Sequence, residues 1–378
     1  MSPRLLPPLL ASCAIVLSAP FMGQIRGTLQ AALPGGVYRA VVGAAVIGSI
    51  AVALAVGVAR IRERRGLRYG ALLAALVIGL VYARFTASGN PSVDLVERVH
   101  FIEYGVLALL FFRACRQRED PSLLAIPVFA SIVAAVLDEW FQWFVPGRVG
   151  EIRDVALDAV AIGCGLLFAL GLDPPSHLLR RLRSRASVAA GVLAAAAILI
   201  GALFFDVIHL GHELRLGHST LRSRYTSGEL DALSRDRGER WPREGPPTAL
   251  RRLSREDQYL AEGLWHVQRR NEAAGAGDAF AAWRENEILE RFFPPILDWP
   301  SYAASAPSRW PPAQREDFSN RASADERPYV STAQPFPLFA WTRLAFWAFV
   351  GAALVAIGWW SARRARATRL ARPEVPAL

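Results

Sequence analysis

Residues 123–145 read LLAIPVFASIVAAVLDEWFQWFV, and this stretch decides the fold. It has the roughly 20 mostly apolar positions that a helix needs to cross the hydrocarbon core of a bilayer. Three polar side chains, Asp138, Glu139 and Gln142, interrupt its second half. An ionisable side chain at the bilayer centre costs about 2.5–3.5 kcal/mol on insertion scales. The stretch therefore predicts a membrane helix whose polar residues have a buried partner or a function.

Apolar runs of similar length recur along the chain. The chain has 378 residues, of which 53% are hydrophobic, and its mean hydropathy is +0.24. A soluble protein of this length would spread its apolar residues more evenly. We therefore predict an all-α, polytopic transmembrane bundle of about eight spans. The predicted spans are residues 5–23, 38–59, 67–85, 99–115, 122–145, 155–172, 187–208 and 338–360.

Arginine marks the loops that we expect in the cytoplasm. The sequence contains no lysine, and its formal net charge is +10. The arginines near the spans cluster at residues 60–68, 113–118, 180–185 and 363–372. Because basic loops stay cytoplasmic, this pattern predicts a bacterial cytoplasmic membrane with both termini inside. It also argues against a nucleic-acid partner, which would need the arginines on one exposed face. The loops at residues 86–98 and 146–154 and the segment 209–336 would then lie outside.

The spans and the polar segment divide the chain into four predicted parts. Residues 1–66 form N-terminal membrane helices, and residues 67–208 form a membrane core. Residues 209–336 form a small extracytoplasmic domain that is mainly helical and irregular. Residues 337–378 form the last membrane helix and a basic tail. Within the polar segment, an N-cap pattern from Ser254 to Asp257 and a second cap at Asp278 predict two helix starts.

Polar residues gather near the outer ends of three neighbouring spans. Glu97, His100 and Tyr104 are spaced by three and four, so they share one helix face. Asp138 and Gln142 are four apart, as are Asp154 and Asp158. We therefore predict one polar cluster in the membrane core. Its residues are Glu97, His100, Glu103, Tyr104, Asp138, Glu139, Gln142, Arg148, Asp154 and Asp158.

No pattern in the sequence predicts a metal or a cofactor. Cys13, Cys115 and Cys164 are far apart and have no metal-ligand or paired spacing. His209 and His212 lie three apart at the end of a span, where interfacial histidines are more common than metal ligands. The chain lacks a nucleophile elbow, a His-Glu-x-x-His motif and a phosphate loop. We therefore predict no cofactor and assign no catalytic residue.

Two stretches resemble the signatures of the VanZ-like family. The first is VERVHFIEYGVL at residues 96–107, and the second is DEWFQWFVPGR at residues 138–148, followed by DVALD at residues 154–158. The resemblance covers roughly residues 70–172. It departs from the family pattern at Phe141, where a histidine often precedes the glutamine. The resemblance implies a membrane protein of the cell envelope, linked in some members to lowered glycopeptide sensitivity, with no established reaction.

The cluster has three possible roles at this stage. Arg148 could neutralise the carboxylates in a network that only holds the helices together. The cluster could instead bind the polar head group of a lipid-linked or cell-wall-related ligand, with Arg148 on an anionic group. It could also act in catalysis, with a carboxylate or His100 as general base. We predict the binding role. The alternatives are an enzyme of envelope lipid or glycan metabolism and a scaffold whose outer domain docks a partner protein.

Overall fold

The protein is described here by a computed structural model. It describes residues 3–33, 35–87, 91–118, 120–145, 150–175, 184–249, 257–322, 325, 327–332 and 337–370. Within these residues the chain folds into two compact units. The membrane unit comprises Met1–Gln142, Ile152–Leu203 and Ala348–Leu378, and the helix–sheet unit comprises Trp143–Glu151 and Phe204–Trp347.

Helices dominate both units, and a small sheet lies in the second. In chain order the helices are α1 (Leu6–Ala32), α2 (Gly35–Arg60), α3 (Arg65–Phe85), α4 (Pro91–Cys115), α5 (Ser122–Gln142), α6 (Ile152–Leu172), α7 (Ser184–Ile208), α8 (Ser227–Glu244), α9 (Gln258–Gly275), α10 (Ala279–Phe292), α11 (Pro294–Asp298), α12 (Pro312–Ala322) and α13 (Arg343–Leu370). The strands are β1 (His212–Leu216), β2 (Ser219–Ser223) and β3 (Tyr329–Thr332). The predicted all-α polytopic class is confirmed.

Long apolar helices account for the membrane unit. Within the described residues, seven segments are long and apolar enough to cross a membrane. They are Pro3–Met22, Gly36–Arg60, Arg65–Phe85, Ser122–Gln142, Ile152–Leu172, Ala186–Ile208 and Arg343–Arg366. The remaining predicted span, residues 99–115, lies in α4. This helix starts before residue 99 and carries charged residues in its first half. Because of these charges, α4 is not among the seven apolar segments, although it is long enough to cross a membrane.

The core of the membrane unit forms around α4. This helix packs against α5 and α6, and α6 also packs against α3. Tyr104, Leu107 and Phe112 of α4 are fully buried in a cluster that includes Leu123 and Ile162. The polar helix is thus surrounded by other helices, as expected for ionisable residues in a membrane protein. In contrast, the apolar side chains of α2 and α13 are mostly exposed, which suits contact with lipid.

Two glycines allow α4 and α6 to come into close contact. A Cβ atom added at Gly165 would lie 2.3 Å from the carbonyl oxygen of Gly105. Only glycine therefore fits at residue 165, since real Cβ atoms do not approach a carbonyl so closely, whereas a Cβ added at Gly105 would lie an ordinary 3.5 Å from the carbonyl oxygen of Ala161. The crossing is one residue from Tyr104, so it fixes the spacing of the two helices beside the predicted polar cluster.

An arginine donates hydrogen bonds to the carbonyl groups at the C-terminal end of α6. Arg68 of α3 donates from Nε to the carbonyl oxygen of Gly171 at 2.8 Å and also bonds the carbonyl of Leu172. The last carbonyls of a helix have no partner within the helix, so such a donor stabilises the end. Beyond α6, Asp173 pairs with Arg116 at 2.5 Å.

The helix–sheet unit has its two ends close together. The order of its sheet is β1-β2-β3, with β1 antiparallel and β3 parallel to β2. Gly217, with φ of +58°, makes the tight turn between β1 and β2. Before the sheet, Leu210 pairs with Phe339 in an isolated bridge, and the amide of Phe339 donates to the carbonyl of His209 at 2.8 Å. The two ends of Phe204–Trp347, the longer part of this unit, therefore lie next to each other.

Side-chain caps start the helices of this unit. Asp278 accepts from the amide of Ala281 at 3.0 Å and caps α10, as the sequence predicted. The N-cap of α9 is Asp257, one turn later than the predicted Ser254, which lies outside the described residues. Asp257 accepts from the amide of Tyr259 at 3.1 Å. The sheet was not predicted, because strands of four or five residues carry little periodic signal.

Replacing Gly165 with alanine tests the close crossing of α4 and α6. We expect Gly165→Ala to force the backbones apart and to lower the free energy of unfolding by about 1–3 kcal/mol, the usual range for overpacking. Thermal unfolding of the protein in lipid nanodiscs measures the change. Gly163→Ala on the same helix is the control, because its added Cβ meets nothing within 4 Å. Equal stability of the two variants would contradict the crossing.

Candidate functional site

The centre of the site is a set of hydrogen bonds within α5, joined to α4 through Tyr104. The hydroxyl of Tyr104 donates to Oδ2 of Asp138 at 3.1 Å. The amide nitrogen of Gln142 donates to the same Asp138 oxygen at 3.0 Å and to Oε1 of Glu139 at 3.1 Å. All four side chains are buried. The i, i+4 spacing of Asp138 and Gln142 on α5 is what lets the amide reach the carboxylate.

A further carboxyl group enters from α6. Asp158 is 1% exposed and lies near Tyr104, as do Asp138, Glu139 and Glu103. Its own electrostatic neighbours are Asp138, Asp154 and Glu103. Oδ2 of Asp158 is buried and has no hydrogen-bond partner among the described residues. Buried carboxylate oxygens are normally bonded, so this atom is an exception that needs a reason.

The edge of the cluster lies on α4. Nδ1 of His100 is 3.8 Å from Oε2 of Glu103, and the two side chains are 23% and 26% exposed. The His100 ring stacks on Tyr104, with ring centroids 6.4 Å apart and planes at 12°. His100 and Glu103 thus form a half-buried rim beside the buried groups.

The remaining predicted residues are placed only in part. Asp154 lies in the first turn of α6 and is half-buried. Glu97 lies on α4, but its side chain is outside the described part of the chain, and Arg148 lies outside it entirely. The structure therefore brings His100, Glu103 and Tyr104 of α4 together with the polar groups of α5 and α6. These are Asp138, Glu139 and Gln142 on α5 and Asp154 and Asp158 on α6. That these residues form a functional site stays a prediction.

The fold and this polar centre define a multi-pass α-helical membrane protein with ionisable groups buried between its helices. Residues 49–173, about a third of the chain, match the model of the family described as VanZ/LLP1. This segment, which contains α3 to α6 and the last part of α2, is therefore similar to the VanZ/LLP1 family. No curated protein and no solved structure matches the chain.

The helix–sheet unit contains a second buried polar network, which the sequence did not predict. Glu285 of α10 accepts from the Tyr329 hydroxyl at 2.6 Å and from the Ser331 hydroxyl at 2.7 Å, and it lies 2.7 Å from Nδ1 of His266. Arg269 adds an ion pair at 3.2 Å. Burial alone would raise the pKa of Glu285, but the charge of His266 and these hydrogen bonds lower it below its usual value.

Ser331, His266 and Glu285 do not form a catalytic triad. Ser331 approaches Nδ1 of His266, at 3.3 Å, which is the same ring nitrogen that faces Glu285. A triad needs the hydroxyl on the other nitrogen. Ser331 and His266 are also fully buried. The network therefore stabilises the packing of α9, α10 and β3. Within the described residues, no group of three or more His, Cys, Asp or Glu side chains is arranged to hold a metal ion.

Glu262 lies next to this network and is bonded less completely. It is four residues before His266 on α9 and is fully buried. The amide of Arg224 approaches its Oε2 at 3.4 Å, and Ser223 contributes a hydrogen bond. Oε1 of Glu262 and Nε2 of His266 have no partner among the described residues. Burial raises the pKa of Glu262, and contacts with Ser223, His266 and Arg224 offset this rise only in part. The resulting pKa is about 7.

Arg224 links the sheet to the end of α7. Its guanidinium donates to the carbonyl oxygens of Val207 at 2.8 Å and Ile208 at 3.2 Å. These are the last residues of α7, whose carbonyls lack partners within the helix. The same guanidinium lies 5.7 Å from the ring centroid of Trp143, a cation–π distance. Trp143 directly follows Gln142, the last residue of α5.

His209, which the sequence analysis considered as a metal ligand, and Trp310 of the helix–sheet unit both have structural roles. His209 is buried, its Nδ1 lies 2.9 Å from the carbonyl of Pro337, and burial lowers its pKa to about 4. It packs among phenylalanines at the end of α7, while His212 belongs to β1. Trp310 is buried, with its ring centroid 4.7 Å from Cζ of Arg270 and 4.6 Å from the ring centroid of Phe318. It therefore belongs to the core of the helix–sheet unit.

The pKa of Glu262 predicts how the stability of the helix–sheet unit depends on pH. In the folded unit this carboxyl titrates near 7 rather than at its ordinary 4.5, so it holds its proton more tightly than in the unfolded chain. The unit therefore loses stability as the pH rises from about 5 through 7. Glu262→Gln removes the buried charge, and we expect its stability gain over the wild type to grow by about 2 kcal/mol from pH 5 to pH 8.

Native-state hydrogen exchange of the α9 amides measures this stability gain of Glu262→Gln at pH 5 and at pH 8, with exchange rates corrected for pH. Glu272→Gln is the control, because Glu272 is an exposed glutamate on the same helix. We expect this control to show no pH-dependent gain. A Glu262→Gln variant whose gain is the same at both pH values would show that Glu262 is already ionised in the folded unit at pH 5.

Proposed function

We propose that this protein is a non-enzymatic binding protein of the bacterial cell envelope. Its VanZ-like core binds the polar head group of a lipid-linked or cell-wall-related ligand in the cluster between α4, α5 and α6. Binding such a ligand at the outer face would shield it, and a change in glycopeptide sensitivity is the expected cellular effect. The bilayer is its permanent partner, and the helix–sheet unit offers a surface for a protein partner.

The observation that carries this proposal is the unsatisfied oxygen of Asp158. A polar network that only held helices together would bond its own acceptors, because each unpaired buried group costs about 1–3 kcal/mol. Tyr104 and Gln142 satisfy Asp138, yet Oδ2 of Asp158 bonds nothing in the described part of the chain. A ligand that donates to this oxygen would supply the missing bond.

The half-buried rim supports a ligand rather than a sealed structural core. His100 and Glu103 are partly exposed, while Tyr104 behind them is fully buried. Polar groups therefore lead from the edge of the helix bundle to its interior. Intramembrane ionisable residues commonly mark the path or the site of a bound molecule.

The arginine distribution supports the side from which the ligand enters. Basic loops at residues 60–68 and 113–118 favour a cytoplasmic position for these turns. The loop from α5 to α6 would then face outward, near the ends that carry Gln142 and Asp154. This proposed topology has both termini in the cytoplasm and opens the cluster to the outer leaflet of the cytoplasmic membrane.

Ligand retention in native lipid particles tests the proposal. The wild type, Asp158→Asn and Arg148→Ala are purified with surrounding lipid, and the co-purifying lipids and lipid-linked wall molecules are quantified by mass spectrometry. We expect both variants to remain inserted and to lose about tenfold of the specific ligand, the effect of removing one charge-assisted bond.

Asp231→Asn is the control, because Asp231 is an exposed aspartate of α8 that pairs with Arg291. Unchanged retention in both cluster variants would overturn the binding function. A failure of both variants to accumulate would favour a purely structural network. Loss of function on deleting residues 215–330, with the cluster variants active, would favour the scaffold.

A further inference from the structure

We infer that the turn between α2 and α3, together with the C-terminal ends of α4 and α6, forms a site for the phosphate of an anionic phospholipid. All four elements belong to the membrane unit. The site lies at the ends of α4 and α6 away from His100 and Asp154, so it is separate from the polar cluster. Its occupancy does not depend on the ligand proposed for that cluster.

The α2–α3 turn carries four exposed arginines. Arg60 ends α2, Arg65 starts α3, and Arg62 and Arg64 lie between the two helices. None of these four side chains has an ion pair or a hydrogen bond among the described residues. Glu63, the acid of the same turn, is exposed and pairs with none of them. The turn therefore has an excess of positive charge that an anion from outside can neutralise.

The backbone of the turn is fixed against its neighbours. Ile61 is 1% exposed, and its amide donates to the carbonyl of Gly57 at 2.9 Å. A Cβ added at Gly57 would lie 2.9 Å from Leu72 and 3.7 Å from Leu172, so α2, α3 and α6 are in contact here. Arg64 has φ of +47°, a left-handed conformation that glycine adopts at lower cost. The turn thus holds an arginine where a glycine would be less strained.

Contacts with the end of α6 add three more arginines. Arg68, one helical turn after Arg64, donates to the last two carbonyl groups of α6. Arg116, just beyond α4, pairs with Asp173 at 2.5 Å. This hydrogen bond and the charges of Arg116, Arg68 and Arg113 lower the pKa of Asp173. One carboxylate therefore faces three arginines, and the excess of positive charge extends from the turn to the ends of α4 and α6.

An anionic membrane phospholipid fits this surface. Its phosphate accepts paired hydrogen bonds from the planar guanidinium group of arginine. Its acyl chains need an apolar surface beside the arginines, and the mostly exposed apolar sides of α2 and α3 provide one. Leu67, which is 77% exposed, lies next to Arg68 on α3. Basic groups directly beside membrane helices attract anionic head groups in this way.

The test uses the full-length protein in phosphatidylcholine nanodiscs that contain a small fraction of phosphatidylglycerol. Native mass spectrometry counts the phosphatidylglycerol molecules that stay bound. We expect the double variant Arg62→Gln, Arg64→Gln to lower this retention about tenfold, the effect of losing a charge-assisted bond. The control is Arg215→Gln with Arg235→Gln, which removes the same charge from exposed arginines of the helix–sheet unit. It should retain the lipid like the wild type.

A single variant separates lipid binding from folding. Arg64→Gly relaxes the left-handed residue, so we expect its melting temperature to stay close to that of the wild type while its lipid retention falls severalfold. Two measurements on the wild type need no variant. Raising the salt from about 0.1 M to about 1 M should release phosphatidylglycerol, because the Debye length falls from about 10 Å to about 3 Å. Glycerol phosphate, which lacks acyl chains, should not displace the lipid at equal concentration.

Four results would overturn the inference. Equal retention in the wild type and in both inserted turn variants would leave these arginines with the single role of orienting the helices. An equal loss in the control pair would show that overall charge attracts the lipid. Retention that high salt does not change would exclude bonds between arginine and phosphate. Displacement by glycerol phosphate at equal concentration would show that the site takes a soluble phosphate instead of a lipid.

Discussion

The architecture of the membrane unit depends on one constraint, which is that buried carboxyl groups need partners where water is excluded. Asp138 meets this constraint through Gln142 on its own helix and through Tyr104, whose bond joins α4 to α5. The membrane helix α4, which carries charged residues in its first half, is therefore surrounded by neighbouring helices. The apolar helices α2 and α13 can face lipid because they carry few such groups between their ends.

Close packing makes these polar contacts possible. The glycines at residues 105 and 165 bring α4 and α6 into backbone contact next to Tyr104. A wider crossing would leave room around the carboxyl groups and weaken their electrostatic coupling, which falls with distance. The polar centre and the small-residue crossing are thus parts of one arrangement. Within it, Asp158 differs from its neighbours because one of its oxygens has no bond in the described chain.

The sequence predicted most of the helices, because apolar runs of about twenty residues have few alternatives. It placed the start of α4 too late, since the charged residues between Pro91 and Arg98 conceal the helix from an apolar pattern. Residue spacing predicted which polar side chains share a face of α4 or α5, but not which oxygen bonds which donor. The network around Glu285 escaped prediction, because it joins α9 and α10 to β3 across more than forty residues. Pairing of β2 with β3 is equally invisible in local patterns.

The bridge between Leu210 and Phe339 has a consequence for the history and engineering of this chain. It brings together the two ends of Phe204–Trp347, the longer part of the helix–sheet unit, so a short hairpin could replace most of this segment. A segment of this kind can be gained, exchanged or lost without rethreading the helices on either side. The match to the VanZ/LLP1 model ends at residue 173, before Phe204–Trp347 begins, so this segment could be shortened or exchanged without cutting into the matched residues.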